Sequence, residues 1–168
     1  MNLLDKYPSV AILGGGESGV GAAILAKDRG HRVFLSDGGA LKAQYAAQLD
    51  QECIAYEQGK HSLDRLLTAN LLIISPGIPN TAPAVAACLD RGIPVWSELE
   101  FAFHYTSSPI VAITGSNGKT TTTTLTYRIA QHAGLEVGLG GNIGQSFALQ
   151  LARNPKPLYV LEVSSFQL

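Results

Sequence analysis

The sequence predicts an α/β protein built on parallel sheets, and three observations support this prediction. Short apolar runs and amphipathic stretches alternate along the 168 residues, as in chains whose strands are joined by helical crossovers. Glycine-rich turns follow two of the apolar runs, at residues 14–21 and 114–118. Because 46% of the residues are apolar and 15% are charged, the chain can bury a core and is not disordered.

The first predicted strand leads into a turn rich in glycine. Residues 10–13 are apolar, and a G-x-G-x-x-G pattern that starts at Gly14 opens a helix extending to about Arg29. A second strand follows over residues 32–35, and Asp37 lies at its end. This order is the Rossmann fingerprint, in which the turn binds a diphosphate and the acid binds a ribose hydroxyl. Tight packing of strand against helix is the alternative explanation for the glycines.

The rest of the first unit continues the alternation. Further strands are predicted over residues 53–56, 71–74 and 93–96, and helices over residues 41–49, 62–68, 83–91 and 97–104. The continuous apolar run 71–74 is typical of a strand that is covered on both faces. Ser75, Pro76 and Gly77 follow this run, at the carboxyl end of a central strand, where open α/β sheets bind ligands.

A polar break at residues 106–109 separates this Rossmann-like parallel sheet domain, residues 1–106, from a second α/β unit, residues 107–168. The pattern restarts there, with strands predicted over residues 110–114, 135–139 and 158–163 and helices over residues 120–133 and around 147–151. A domain of this kind needs more strands than these three, so we expect the second unit to be truncated and the chain to be a fragment of a longer protein.

The second glycine-rich turn predicts a phosphate-binding P-loop, because an apolar strand precedes it and a helix beginning with Lys-Thr follows it. The predicted ATP-binding residues are Gly115, Ser116, Asn117, Gly118, Lys119, Thr120 and Thr121. Lys119 would reach the outer phosphates, and the Thr120 hydroxyl would bind Mg²⁺. Glu162 ends the last strand, where an acid can hold the same metal. The turn is two residues tighter than usual, because Ile113 stands where the common pattern has glycine.

Charge and composition argue against other classes of protein. The net charge is −1 and no basic stripe occurs, so we expect no nucleic-acid partner. Two isolated cysteines and four scattered histidines are not spaced as metal ligands. No run of about 18 apolar residues and no basic leader segment occurs. We therefore expect a cytoplasmic protein that does not insert into membranes.

These motifs resemble those of the Mur ligase family of peptidoglycan synthesis. The resemblance is carried by residues 113–121 (ITGSNGKTT), 140–144 (GGNIG), 161–168 (LEVSSFQL) and 75–78 (SPGI). Folylpolyglutamate synthases share the tight Gly-Lys turn. The GGNIG and SSFQL segments are similar to those of the family members that add D-glutamate to UDP-N-acetylmuramoyl-L-alanine.

The resemblance implies an ATP-dependent ligase of cell wall biogenesis that requires Mg²⁺ and acts as a monomer on small-molecule substrates. ATP would phosphorylate the muramoyl-alanine carboxylate, and the amine of D-glutamate would attack the acyl phosphate. The first domain would bind a UDP-sugar rather than a dinucleotide. Because further catalytic groups of the family lie beyond Leu168, we expect the fragment not to be catalytically complete.

The resemblance also assigns roles to residues. Lys119, Asn142 and Glu162 would be catalytic, with Glu162 and Thr120 as metal ligands. The expected UDP-sugar-binding residues are Gly14, Gly15, Gly16, Glu17, Ser18, Gly19, Asp37, Gly38, Ser75, Pro76, Gly77, Asn142 and Ser164. Gly38 stands where the family often has a hydroxyl residue, so we expect Ser36 to supply that group.

Three alternatives remain at this point. An NAD-dependent oxidoreductase would explain the first glycine turn and Asp37. Another Mur ligase with a different amino-acid substrate would share most of the motifs. A non-catalytic nucleotide-binding module would keep the fold, although Lys119, Thr120 and Glu162 are all present.

Overall fold

The computed structural model describes residues 3–164, which form two parallel β-sheets with helices packed around them. The elements up to residue 103 are α1 (Leu3–Lys6), β1 (Ser9–Leu13), α2 (Glu17–Asp28), β2 (Arg32–Asp37), α3 (Ala43–Gln51), β3 (Ala55–Gln58), α4 (Leu63–Leu66), β4 (Leu71–Ile74), α5 (Pro83–Asp90), β5 (Val95–Ser97) and α6 (Glu98–Phe103). The elements after it are β6 (Ile110–Ile113), α7 (Lys119–His132), β7 (Gly138–Gly141), α8 (Phe147–Arg153) and β8 (Tyr159–Glu162). The prediction of an α/β protein with parallel sheets is confirmed.

The first sheet has five parallel strands in the order β3-β2-β1-β4-β5. The chain runs outward from β1 to β3, then crosses to the other side of β1 to form β4. This reversal places a crevice at the carboxyl ends of β1 and β4, which is where such sheets bind ligands.

Strand β1 shows why the apolar runs are continuous. Val10 and Ile12 lie in one hydrophobic core, whereas Ala11 and Leu13 lie in another on the opposite face of the sheet. In strand β4, Leu71 likewise lies in the first core and Leu72 in the second. Because successive side chains point to opposite faces, a strand that is covered on both sides must be apolar at every position.

The second sheet has three parallel strands in the order β6-β8-β7. It joins the first half through α8, which packs against α2 and α6. Phe147 of α8 and Tyr159 of β8 are fully buried, with ring centroids 4.8 Å apart, and belong to the same core as Val10 and Ile12. The two sheets therefore share one continuous core on this side.

The opposite side of the second sheet is open in the described part of the chain. In α7 only Thr123 is buried, while Leu125 and Ile129 are 58% and 61% exposed. Strand β6 is an edge strand, and its Val111 is 41% exposed.

Three strand predictions are displaced in the structure. The strand predicted over residues 93–96 covers Val95–Ser97, and the other two shifts have local reasons. Cys53 has a positive φ of 52° and forms the turn after α3, so the strand predicted over residues 53–56 covers Ala55–Gln58 instead. Gly134 and Leu135 close the end of α7, where Leu135 N–H donates to the carbonyl of Ala130, and the strand predicted to start at residue 135 starts at Gly138. The short helix α1 was not predicted. None of the helices within residues 3–164 is both long and apolar enough to cross a bilayer.

Candidate functional site

The first glycine turn lies in the crevice between β1 and β4. Gly14 has a φ of +96°, and a Cβ atom there would stand 2.7 Å from the Ser75 hydroxyl, which donates to the Gly14 carbonyl. A Cβ on Gly19 would stand 1.9 Å from the same carbonyl. Only glycine fits at Gly19, because α2 begins directly against the backbone of the turn.

The helix that follows this turn begins without a side-chain cap. Gly16 is its N-cap, and Glu17 and Ser18 form its first turn. Backbone N–H groups at a helix N-terminus attract anions, because they have no partner inside the helix and the helix dipole adds partial positive charge. The predicted diphosphate-binding turn therefore has suitable backbone geometry.

Asp37 ends β2 beside this turn, as predicted. Its Oδ2 accepts a hydrogen bond from Gly15 N–H, and its Oδ1 accepts one from Gly39 N–H at 2.7 Å. Both carboxylate oxygens therefore order the backbone around the turn. The Gly15 amide donates to Asp37 and the Gly14 amide donates to the Ser36 carbonyl, so the amides from residue 16 onward are the ones that can bind an anion.

The expectation that Ser36 supplies a hydroxyl beside Gly38 is wrong. Ser36 is fully buried, and its Oγ lies 2.8 Å from Glu57 Oε1 and 2.8 Å from His61 Nδ1. His61 instead lies against Gly38, since a Cβ there would be 2.9 Å from His61 Nε2. Burial raises the pKa of Glu57, but hydrogen bonds from Ser62 and Ser36 outweigh it and leave that pKa below its usual range.

A cavity of about 480 Å³ continues the crevice at the carboxyl ends of β4 and β5. Ser75, Pro76 and Gly77 line it, and Ser164, which follows β8 in the second half, lines it too. The structure thus brings together residues that the sequence separates by almost ninety positions. Its other lining residues are Ile74, Ile78, Pro79, Asn80 and Ser97.

The second glycine turn joins β6 to α7. Gly118 is the N-cap of α7, with a φ of +76° and no side-chain cap, so this helix also begins with uncapped N–H groups. Lys119 Nζ donates to the Gly115 carbonyl at 2.8 Å, which holds the ammonium group at the turn. Ser116, Asn117, Thr120 and Thr121 are exposed around it.

Two predicted site residues, Glu162 and Asn142, meet at the end of β8. Glu162 pairs in register with Ile113 of β6, directly before the P-loop, and with Gly141 of β7. Asn142 N–H donates to the Glu162 carbonyl at 2.9 Å. A Cβ on Gly141 would lie 2.0 Å from that carbonyl, so the turn 141–145 rests directly on the end of β8.

Glu162 has the character of a metal ligand. The residue is 5% exposed, and its Oε2 is buried without a hydrogen-bond donor among the described residues. A buried carboxylate oxygen without a partner is costly unless a cation or donor satisfies it. Within residues 3–164 no three His, Cys, Asp or Glu residues gather as metal ligands. A single buried carboxylate such as that of Glu162 suits Mg²⁺, which binds through one or two carboxylates together with phosphate oxygens and water.

Sequence reasoning missed a buried polar contact between the two halves. Glu98, at the start of α6, is 3% exposed and hydrogen-bonds to Ser146 and Ala148 at the start of α8. The sequence gives no distinguishing signal for Glu98, because the first turn of α6 contains two acids, Glu98 and Glu100, and acids at a helix start are equally typical of exposed positions.

Sequence profiles of known families match both halves of the chain. The profile of the Mur ligase MurD-like N-terminal domain matches residues 8–97, and that of the Mur ligase middle domain matches residues 113–168. The UDP-N-acetylmuramoylalanine–D-glutamate ligase of Bacteroides fragilis is 52% identical over 159 residues, which is 95% of this chain and 36% of that protein. The ligase of the same name from Porphyromonas gingivalis is 50% identical over 163 residues, or 97% of this chain and 36% of that protein. The chain thus spans about a third of the length of these relatives.

Solved structures of more distant proteins have the same fold. The UDP-N-acetylmuramate:L-alanyl-γ-D-glutamyl-meso-diaminopimelate ligase of Neisseria meningitides has a TM-score of 0.61 and 23% identity, over 92% of this chain and 52% of that one. The UDP-N-acetylmuramate–alanine ligase of Thermotoga maritima has a TM-score of 0.57 and 20% identity, over 92% of this chain and 37% of that one. Since the N-terminal profile alone matches 90 of the 168 residues, and the middle-domain profile matches most of the rest, the chain belongs to the Mur ligase family.

Proposed function

We propose that the full-length protein is an ATP-dependent ligase that joins D-glutamate to UDP-N-acetylmuramoyl-L-alanine in peptidoglycan precursor synthesis. The observation that carries this proposal is the arrangement at the end of β8. There, a buried carboxylate oxygen of Glu162 without a described donor lies between the strand that leads into the P-loop and the turn that carries Asn142. The choice of D-glutamate rests on relatives about 50% identical that bear that name.

In the proposed reaction the P-loop binds the phosphates of ATP. The uncapped N–H groups at the start of α7 and the ammonium of Lys119 would stabilise charge on the outer phosphates, which is the main form of catalysis in phosphoryl transfer. Glu162 and Thr120 would hold Mg²⁺, which neutralises charge on the phosphate oxygens. The γ-phosphoryl group passes to the substrate carboxylate, and ADP leaves.

The second step forms the amide bond. The amine of D-glutamate attacks the carbonyl carbon of the acyl phosphate, the nitrogen loses a proton, and inorganic phosphate leaves. We assign Asn142 and Ser164 to contacts with the reacting end of the muramoyl substrate. Asn142 is tied to Glu162 by its backbone, and Ser164 lines the cavity that contains Ser75 to Gly77.

The first domain would bind the uridine diphosphate part of the substrate. The turn from Gly14 to Gly19 supplies the helix N-terminus for the diphosphate, and Asp37 and Gly38 form the rim for the nucleoside. Of the alternatives, the NAD-dependent oxidoreductase is disfavoured, because the family match is to ligases. We further propose a domain boundary at residues 106–107, a monomer, and a cytoplasmic location.

The P-loop assignment is tested by Lys119→Ala in the full-length enzyme. We expect ligation to fall by about a hundredfold or more, as when a main electrostatic contact in a transition state is removed, with binding of the UDP-substrate retained. Lys156→Ala is the matched control, since Lys156 pairs only loosely with the exposed Glu136, at 3.9 Å. Unchanged turnover in Lys119→Ala would remove Lys119 from the site.

The identity of the first ligand is tested by thermal shift on the chain itself. UMP and UDP should raise the unfolding temperature, whereas NAD should not, because the crevice is proposed to select a uridine nucleotide. Stabilisation by NAD alone would favour the oxidoreductase.

A further inference from the structure

Ser146 is held by two carboxylates of the first half of the molecule. Its hydroxyl donates to Glu98 Oε1 at 2.8 Å, and its backbone N–H donates to Glu17 Oε1 at 3.1 Å. The Ala148 N–H also donates to Glu98 Oε1, at 2.7 Å. Glu98 thus binds the start of α8 twice, across about fifty residues of sequence.

This contact is buried and closely packed. Glu98 is 3% exposed and Ser146 is 5% exposed. A Cβ atom on Gly21 of α2 would lie 2.1 Å from the Ser146 hydroxyl, so α2 approaches the start of α8 as closely as a glycine allows. Such short distances between two helices leave little freedom for Ser146 to move.

Ser146 constrains the turn 141–145, which directly precedes it in the chain. Gln145 N–H donates to the Leu139 carbonyl, and Gln150 Nε2 of α8 donates to the carbonyls of both Leu139 and Gln145. At its other end the turn is bound to the Glu162 backbone through Asn142 N–H. The turn is thus fixed between β8 and the start of α8.

The contact of Ser146 with Glu98 and Glu17 also involves the first anion-binding turn. Glu17 is the first residue of α2 and directly follows Gly16, the N-cap of that helix. Burial raises the pKa of Glu98, the donors Ala148 and Ser146 oppose this rise, and the charge of Glu17 adds to it. Glu98 is thus a buried acid beside the exposed Glu17, although an apolar residue would cost less to bury at the position of Glu98.

We propose that Glu98 is a positioning residue that, through Ser146 and together with Glu17, fixes the turn bearing Asn142 against the first anion-binding turn. The part of this inference that concerns catalysis rests on the proposed function. The mechanical part, in which Glu98 orders the turn 141–145, does not.

Amide hydrogen exchange on the chain tests the mechanical part. In Glu98→Ala, the Ser146 hydroxyl and the Ala148 N–H lose their acceptor, so the start of α8 is no longer fixed. Exchange at Asn142 and Gln145, in the turn that precedes it, should therefore speed up by about tenfold or more. Glu98→Gln keeps an oxygen acceptor and should restore protection to within about threefold of the parent. Arg153→Ala is the matched control, since it removes the exposed ion pair of α8 with Glu52 and leaves Ser146 untouched.

Each outcome of this comparison either supports or overturns the proposed role of Glu98. Unchanged protection in a folded Glu98→Ala protein, or equal loss in Arg153→Ala, would overturn the proposal. If Glu98→Ala does not fold, Glu98→Asp carries the same test, because the shorter side chain keeps the charge and withdraws the carboxylate from the Ser146 hydroxyl and the Ala148 N–H.

A UDP arm of the same experiment tests the link between the turns. UDP should slow exchange at Asn142 and Gln145 in the parent and in Arg153→Ala, and should do so less in Glu98→Ala. If UDP protects neither turn in any variant, the proposed uridine site fails, while the comparison without ligand still judges Glu98. If UDP protects Asn142 and Gln145 equally in the parent and in Glu98→Ala, the link through Glu98 is refuted.

Discussion

The two glycine turns have the same chemistry but lie in different surroundings. Both follow a parallel strand, and both open a helix with a glycine N-cap that provides no side-chain cap. The first turn lies on a sheet covered on both faces and packs against Ser75 and Leu41. Residues 114–118 of the second turn are exposed, on an edge strand beside a helix with one buried residue.

This difference shows that the geometry of an anion-binding turn is largely local, whereas its rigidity comes from the packing around it. Backbone conformation at the second turn requires little more than glycines at two positions, Gly115 and Gly118, with φ of +150° and +76°. The first turn additionally requires the absence of side chains, because neighbouring elements fill the space. We expect mutations to affect the two turns unequally.

The largest difference is expected between Gly19→Ala and Gly118→Ala. A Cβ on Gly19 would lie 1.9 Å from the Gly14 carbonyl, so the backbone of the first turn must move, at a cost of about 3 kcal/mol or more. No described atom lies within 4 Å of a Cβ on Gly118, so only the positive φ is penalised, by about 1 kcal/mol. Urea denaturation measures both values.

Gly16→Ala is the control for this pair. Gly16 has a φ of −75°, and no atom of the described residues lies within 4 Å of a Cβ added there. We therefore expect the free energy of unfolding to fall by about 0.5 kcal/mol or less. Equal losses in Gly19→Ala and Gly118→Ala would contradict the difference in packing.

The next effect concerns leucines in the two halves. Leu72→Ala, at a fully buried position of β4, should cost about 3 kcal/mol through lost burial and a residual cavity. Leu125→Ala, on the open side of α7, should cost about 0.5 kcal/mol or less, since this side chain is 58% exposed. A large loss from Leu125→Ala in the isolated chain would show that this face is covered in solution. Thermal unfolding of both variants supplies the comparison.

A smaller difference is expected in ligand binding to the chain. UDP should bind about tenfold more tightly than ATP, because the second turn lacks packing that would hold it in the binding geometry and must be ordered on binding. Calorimetry with each nucleotide measures the ratio. Tighter binding of ATP would show that the P-loop is rigid without further packing.

The smallest effect is a dependence of stability on pH at the contact between the halves. Burial raises the pKa of Glu98 above its usual value, and the neighbouring charge of Glu17 adds to this rise. The resulting stabilisation is complete below the usual pKa of a glutamate and is lost as pH rises through the raised pKa. The melting temperature should therefore fall over this pH window in the parent protein and less in Glu98→Gln. Parallel pH curves for the two proteins would show that Glu98 does not titrate there.

Much of the fold could be predicted, because it depends on local patterns. Strand β4 was predicted at its exact bounds, since a continuous apolar run next to Ser75-Pro76-Gly77 is a strong signal. The strand expected from residue 135 was displaced, because Leu135 is apolar yet 53% exposed in the turn that ends α7. Apolar character alone does not distinguish a residue that is buried from one that closes a helix.

The candidate site likewise has features that local sequence determines and features that tertiary packing determines. The sequence by itself determined the two turns, the helices they open and the position of Glu162 at a strand end, because each depends on residues close together in the chain. Only the tertiary structure decided that Ser164 shares a cavity with Ser75, that the buried Ser36 binds Glu57, and that Glu98 binds Ser146. These contacts join residues far apart in sequence, and the order of strands and the packing of α8 between two sheets, rather than local preference, bring them within reach.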